Sequence, residues 1–95
     1  MLSAQNKKKL RTMAMELPSM LQIGKANLTP SFFETLSADL DAHELVKVTM
    51  QKTSELSVRE AAIECAGATS SEIIQIIGRT FTLYKQSKEN KLGIR

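Results

Sequence analysis

Aromatic residues are scarce in this chain, which has no tryptophan, one tyrosine (Tyr84) and three phenylalanines (Phe32, Phe33, Phe81). The core must therefore be aliphatic, and platforms on which bases could stack are few. Cysteine occurs once, as Cys65, which excludes an internal disulfide and fits a reducing, cytoplasmic setting. His43 is the only histidine, so no set of Cys and His with metal-ligand spacing exists, and neither a metal nor another cofactor is expected. No apolar run approaches the ~20 residues of a membrane span. Lys7, Lys8 and Lys9 are not followed by the apolar stretch of a signal peptide. A glycine-rich nucleotide loop ending in Gly-Lys-Ser/Thr is also missing.

What remains reads as one domain, residues 1–86, with a polar, basic tail at 87–95. Net charge is only +3, but it is unevenly spread. Residues 1–25 carry five bases (Lys7, Lys8, Lys9, Arg11, Lys25) against Glu16, a balance of +4. Residues 26–66 carry three bases against seven acids, and residues 67–95 carry five against two. Two basic ends flank an acidic middle. If both ends share a face, they make a footprint for a polyanion; otherwise they serve solubility.

Ser3 can cap a first helix over Ala4–Leu17. Leu10, Met13, Ala14 and Leu17 form its apolar stripe, while Lys7, Lys8 and Arg11 fall off it. Pro18 ends this helix, because the residue before a proline avoids helical geometry. A short strand, Met20–Ile23, then stops at Gly24. Thr29 as N-cap and Pro30 at the first helical position start a second helix, Pro30–Ala42. Leu28 and Phe33 have the spacing of a hydrophobic staple. Phe32, Phe33, Leu36 and Leu40 point inward.

The segment Glu44–Met50 alternates, with Val46, Val48 and Met50 on one face and Leu45, Lys47 and Thr49 on the other. That predicts a half-buried strand with an available polar face. Ser57 and Glu60 form a capping box before a third helix reaching Ala68, whose stripe is Val58, Ala61, Ala62 and Cys65. Two strands, Glu72–Ile77 and Thr80–Lys85, are separated only by Gly78-Arg79, which suits a type II′ hairpin. Phe81 and Leu83 face the core, with Thr80, Thr82 and Tyr84 facing away. The order α-β-α-β-α-β-β, with four strands and three helices, predicts an α+β two-layer sandwich.

Three kinds of function can be weighed against this layout. Catalysis has no support: Cys65 sits mid-helix on an alanine-rich stripe, His43 ends a helix, and Ser70-Ser71 is a turn. A protein-interaction module is an alternative, since the Ile73/Ile77 or Ile74/Ile76 pair could offer an exposed apolar sheet face. Nucleic-acid binding has the most. The loop Gly24-Lys25-Ala26-Asn27 joins a strand to a helix N-terminus, with small side chains, free N–H groups and a lysine that suit a phosphate. Lys7, Lys8 and Arg11 would extend that contact, with weaker candidates in Arg79 and Lys85. With Tyr84 as the sole polar-face aromatic, recognition of backbone and shape in structured RNA is favoured over reading single bases.

Several motifs in order also carry a family resemblance, over Leu2 to Glu89. They are the opening Leu2-Ser3 through Leu10-Arg11, the apolar strand between Pro18 and Gly24, His43-Glu44-Leu45-Val46-Lys47-Val48, and Ile74-Gln75-Ile76-Ile77-Gly78-Arg79 with Leu83-Tyr84. In these the chain resembles the small bacterial RNA-binding proteins of the CRM type (chloroplast RNA splicing and ribosome maturation), the YhbY-like family. The resemblance implies a four-stranded mixed sheet with packed helices, similar to the C-terminal domain of translation initiation factor three. It also implies binding to structured RNA and, in bacteria, an association with precursors of the large ribosomal subunit. Together with the residues, this gives the expectation of a cytoplasmic monomer that binds ribosomal RNA of a large-subunit precursor. Its Gly-x-x-Gly loop, compared with the loop of KH domains, maps to Gly24, Lys25, Ala26 and Asn27, and Lys47 is carried over from the His-Glu-Leu motif. Asn27 stands at the second glycine, Ser70 at a glycine that ends the third helix, and Gln86 at a common proline.

Overall fold

In the computed structural model, which describes residues 4–24, 28–51 and 57–86, the elements follow the expected order. They are α1 (Ala4–Glu16), β1 (Leu21–Ile23), α2 (Pro30–His43), β2 (Leu45–Met50), α3 (Val58–Thr69), β3 (Glu72–Ile77) and β4 (Thr80–Tyr84). The three helices and one four-stranded mixed sheet make an α+β fold. The sheet runs β1-β2-β4-β3, with β1 parallel to β2 and the other neighbours antiparallel.

The helix starts follow local chemistry. Thr29 is extended and its hydroxyl accepts from Phe32 N at 3.1 Å. Ser57 does the same for Glu60 N at 3.1 Å, and its hydroxyl donates to the Glu60 carboxylate. At the hairpin, Gly78 has φ +57 and Arg79 is not among the positive-φ residues, as a type II′ turn requires. Ser3, proposed as the cap of α1, lies outside the described residues.

The main core lies between the sheet and the pair α2 and α3. Leu36 and Leu40 of α2 and Ala61, Ala62 and Cys65 of α3 are fully buried against Ile23, Val46, Val48, Phe81 and Leu83. Alanines at the sheet-facing positions of α3 let its backbone approach closely. Leu28, Phe32 and Phe33 are half-buried at the edge of this core.

The two-layer description holds for α2 and α3, but α1 packs on the opposite face. There Leu10 and Ala14 are buried with Leu45 of β2, Tyr84 of β4 and Ile74 of β3. This changes two expectations. The second face of β2 is only partly available, because Leu45 lies beneath α1. Tyr84 is buried too, 3% exposed, and is not a stacking platform.

A bulge in β3 lets that second cluster form. Ile73 pairs with Leu83 and Gln75 with Thr82, leaving Ile74 as the extra residue. One inserted residue reverses the alternation of side chains. Ile73 and Ile76 therefore share the main core, while Ile74 drops under α1. Neither of the expected isoleucine pairs forms one exposed face; of the four, only Ile77 is exposed, at 61%.

Candidate nucleic-acid interface

Three regions hold the basic residues expected to act together. The first is α1, where Lys7, Lys8 and Arg11 are all exposed. Lys7, Arg11 and Met15 follow at i, i+4 and i+8, so they form one flank of the helix. The buried Leu10 and Ala14 direct that flank sideways over the sheet rather than outward.

The second region is the hairpin end of the sheet. Gln51 N donates to Ile23 O at 2.9 Å and Met50 N donates to Arg79 O at 2.7 Å. These bonds bring Gly24, at the end of β1, and Arg79, in the turn after β3, to the same end of the sheet. Gly24 is packed closely: a Cβ there would stand 3.2 Å from Gln51 Oε1. Lys25, Ala26 and Asn27 lie outside the described residues.

Lys85 belongs to a third place, the opposite end. Its backbone N–H donates to Glu44 O at 2.9 Å, and its ammonium lies 4.0 Å from Asp41 Oδ1. The structure thus separates Lys85 from Gly24 and Arg79. Lys47 is near α1 but occupied. Its Nζ donates to Ala14 O at 3.0 Å and Leu17 O at 3.1 Å, so it caps the C-terminal end of that helix. A cation there also meets the negative end of the helix dipole.

Between α1 and the hairpin end lies an open groove of about 270 Å³ on the sheet face, lined by Met15, Lys47, Gln75, Ile77, Thr80 and Thr82. Among the described residues, no acidic side chain lines it. Composition could not reveal this groove, because its walls come from α1 and three different strands. A second groove on the other flank of α1, lined by Met13, Glu16, Leu17, Met20, His43 and Leu45, is more apolar and carries a carboxylate.

Among the described residues, no cluster of His, Cys, Asp and Glu is placed to hold a metal ion, and no helix is long and apolar enough to cross a membrane. Cys65 is buried in the main core, and burial pushes its thiol up to about 12, with Glu64 adding to the effect.

Comparison with known proteins agrees with this architecture. Residues 2–85 match the family model described as the CRS1 / YhbY (CRM) domain. The chain is 34% identical over 91 residues to the Bacillus subtilis (strain 168) protein named "Probable RNA-binding protein YqeI", covering 96% of this chain and 95% of that one. It also resembles the solution structure of the hypothetical Staphylococcus aureus protein SAV1595, described as a candidate RNA-binding protein. That match has a TM-score of 0.82 and 33% identity, and covers 100% of this chain and 98% of the other.

Proposed function

The chain belongs to the CRS1/YhbY (CRM) domain family, and from that premise we propose that it is an RNA-binding protein acting by contact rather than catalysis. The observation that carries this reading is the exposed basic flank of α1, Lys7 and Arg11, which continues to Met15 in the wall of a groove with no acidic side chain among its described lining residues. The relatives named for RNA binding support the partner class. The target we propose is ribosomal RNA in a large-subunit precursor, bound by a cytoplasmic monomer.

Contacts run from Lys7, Lys8 and Arg11 to the Gly24 end of the sheet, where Arg79 also lies. Lys25 with the backbone of Ala26 and Asn27 takes a phosphate there. Lys47 and Lys85 contribute less, because one caps α1 and the other faces Asp41. Such contacts fix position and orientation and carry no sequence information of their own.

The test is sedimentation of a cell lysate through a sucrose gradient, with and without ribonuclease. Co-migration with a large-subunit precursor, lost on nuclease treatment and weakened by Lys25→Glu, is the expected result. A nuclease-resistant position would point instead to a protein partner. Purified protein should lose affinity for a structured RNA steeply with salt, because each neutralised phosphate releases counterions.

A further inference from the structure

The groove beside α1 has a feature that phosphate contact does not use. Thr82 is 1% exposed, and its Oγ1 is buried with no hydrogen-bond partner among the described residues. The neighbouring hydroxyls are engaged: Thr80 Oγ1 lies 3.1 Å from Thr49 Oγ1, which in turn donates to Ser19 Oγ at 2.7 Å. Leaving a buried hydroxyl unpaired forfeits its hydrogen bond to water without replacement, so an orphan in the wall of a groove calls for an explanation.

The remaining walls suggest what completes it. Gln75 brings an amide able to donate and accept, next to Thr82 across the β3–β4 pair. Met15, 74% exposed, and Ile77, 61% exposed, supply apolar surface on the same rim. Flat apolar contact with a hydroxyl and an amide at the edge matches a nucleobase. A groove of about 270 Å³ falls just below the ~300–1,000 Å³ typical of small-molecule sites, which suits one base rather than a longer stack. Charge favours a polyanion on either side, with Lys7 and Arg11 on the α1 flank and Arg79 in the turn beyond Ile77.

We propose that this groove receives one unpaired base of the bound RNA, held at its edge by Thr82 and Gln75 and on its face by Met15 and Ile77. The proposal rests on the RNA-binding reading above and adds to it a contact with a base. In double-stranded RNA the bases are stacked and paired, so the site selects RNA with an unpaired nucleotide next to a helix.

The experiment uses the full chain and two labelled RNA probes, a hairpin with a short unpaired tail and the same hairpin with the tail removed. The tailed hairpin should bind more tightly. Thr82→Val keeps the shape of the side chain and removes only the hydroxyl; Gln75→Ala removes the amide at a half-buried position. Either should lower affinity for the tailed probe by about fivefold to tenfold, the loss of one hydrogen bond, and leave the blunt probe unaffected. The salt slope should not change, because no phosphate contact is lost. If both hairpins bind equally to the wild type, or both variants keep the full preference, the groove is not a base site while RNA binding stands. If neither hairpin binds, the RNA-binding reading itself falls and the groove proposal with it.

Discussion

The ammonium of Lys47 donates to the carbonyl of Ala14 at 3.0 Å, a bond spanning 33 residues that ties the middle of β2 to the last turn of α1. A second bond to Leu17 O at 3.1 Å completes the cap. Removing the charge in Lys47→Met leaves those carbonyls to solvent and loosens α1 on the sheet. Because the site is only half-buried, the loss should be about 1–2 kcal/mol, read as a lower melting temperature. The salt slope of RNA binding should change little, because the ammonium is already committed to those carbonyls. Arg11→Gln should do the reverse, cutting the salt slope by about one with no effect on melting.

Ser70 ends α3 with φ 56 and ψ 41, a left-handed conformation that disfavours any side chain. It is held there because its N–H and that of Ser71 both return to Ala66 O. Glycine adopts this geometry without steric cost. Ser70→Gly should therefore stabilise the protein by about 0.5–1 kcal/mol, after the greater entropy of glycine in the unfolded chain is subtracted. Thermal unfolding followed by circular dichroism would show a rise of a few degrees. RNA affinity should be unaltered, since Ser70 lies on the helical side away from the groove.

Elements governed by neighbouring residues were legible in the sequence. The Thr29 and Ser57 caps and the Gly78 turn depend on chemistry within a few positions, and each stands where the spacing places it. The face covered by α1 was not legible. Strict alternation puts Ile74 and Ile76 together, and nothing in Ile73-Ile74-Gln75 marks the bulge that separates them. Lys47 likewise reads as a polar strand residue until α1 is laid across the sheet. For the candidate site, the basic stretch of α1 was visible as a charge excess, but the groove was not, because it exists only once α1 lies over β2, β3 and β4.

Gly24 separates two requirements that sequence alone confounds. It lacks a positive φ, so alanine meets no backbone strain there, and among the described residues the added Cβ would meet the end of the Gln51 side chain, nearest at Oε1, 3.2 Å away. Gln51 is exposed, and its amide is held by a 3.3 Å bond to Gln22 Oε1. That side chain can move by a few tenths of an ångström. Gly24→Ala should change stability by less than about 0.5 kcal/mol. If the backbone at this end of the sheet approaches RNA closely, affinity should still fall. Urea unfolding and RNA titration on the same preparation would separate the two effects.

Cys65 supplies a probe of the main core. With its side chain fully buried and its thiol raised to about 12, it should not react with iodoacetamide at pH 8 while the protein is folded. Labelling should then follow global unfolding and accelerate with urea in step with the loss of helix signal. The same shift has a consequence for stability. The folded thiol keeps its proton to about pH 12, whereas the reference value is 9.0. Its contribution is thus complete below pH 9 and is lost as the pH rises from there. Tyr84 acts in the same direction, its pKa raised by burial first and then by Glu44 and Glu72. Cys65→Ala should lower stability at neutral pH through the small cavity it leaves, yet decline less steeply on the alkaline side. A urea titration series from pH 7 to about pH 10.5, spanning the start of thiol ionisation in the unfolded chain, would measure both.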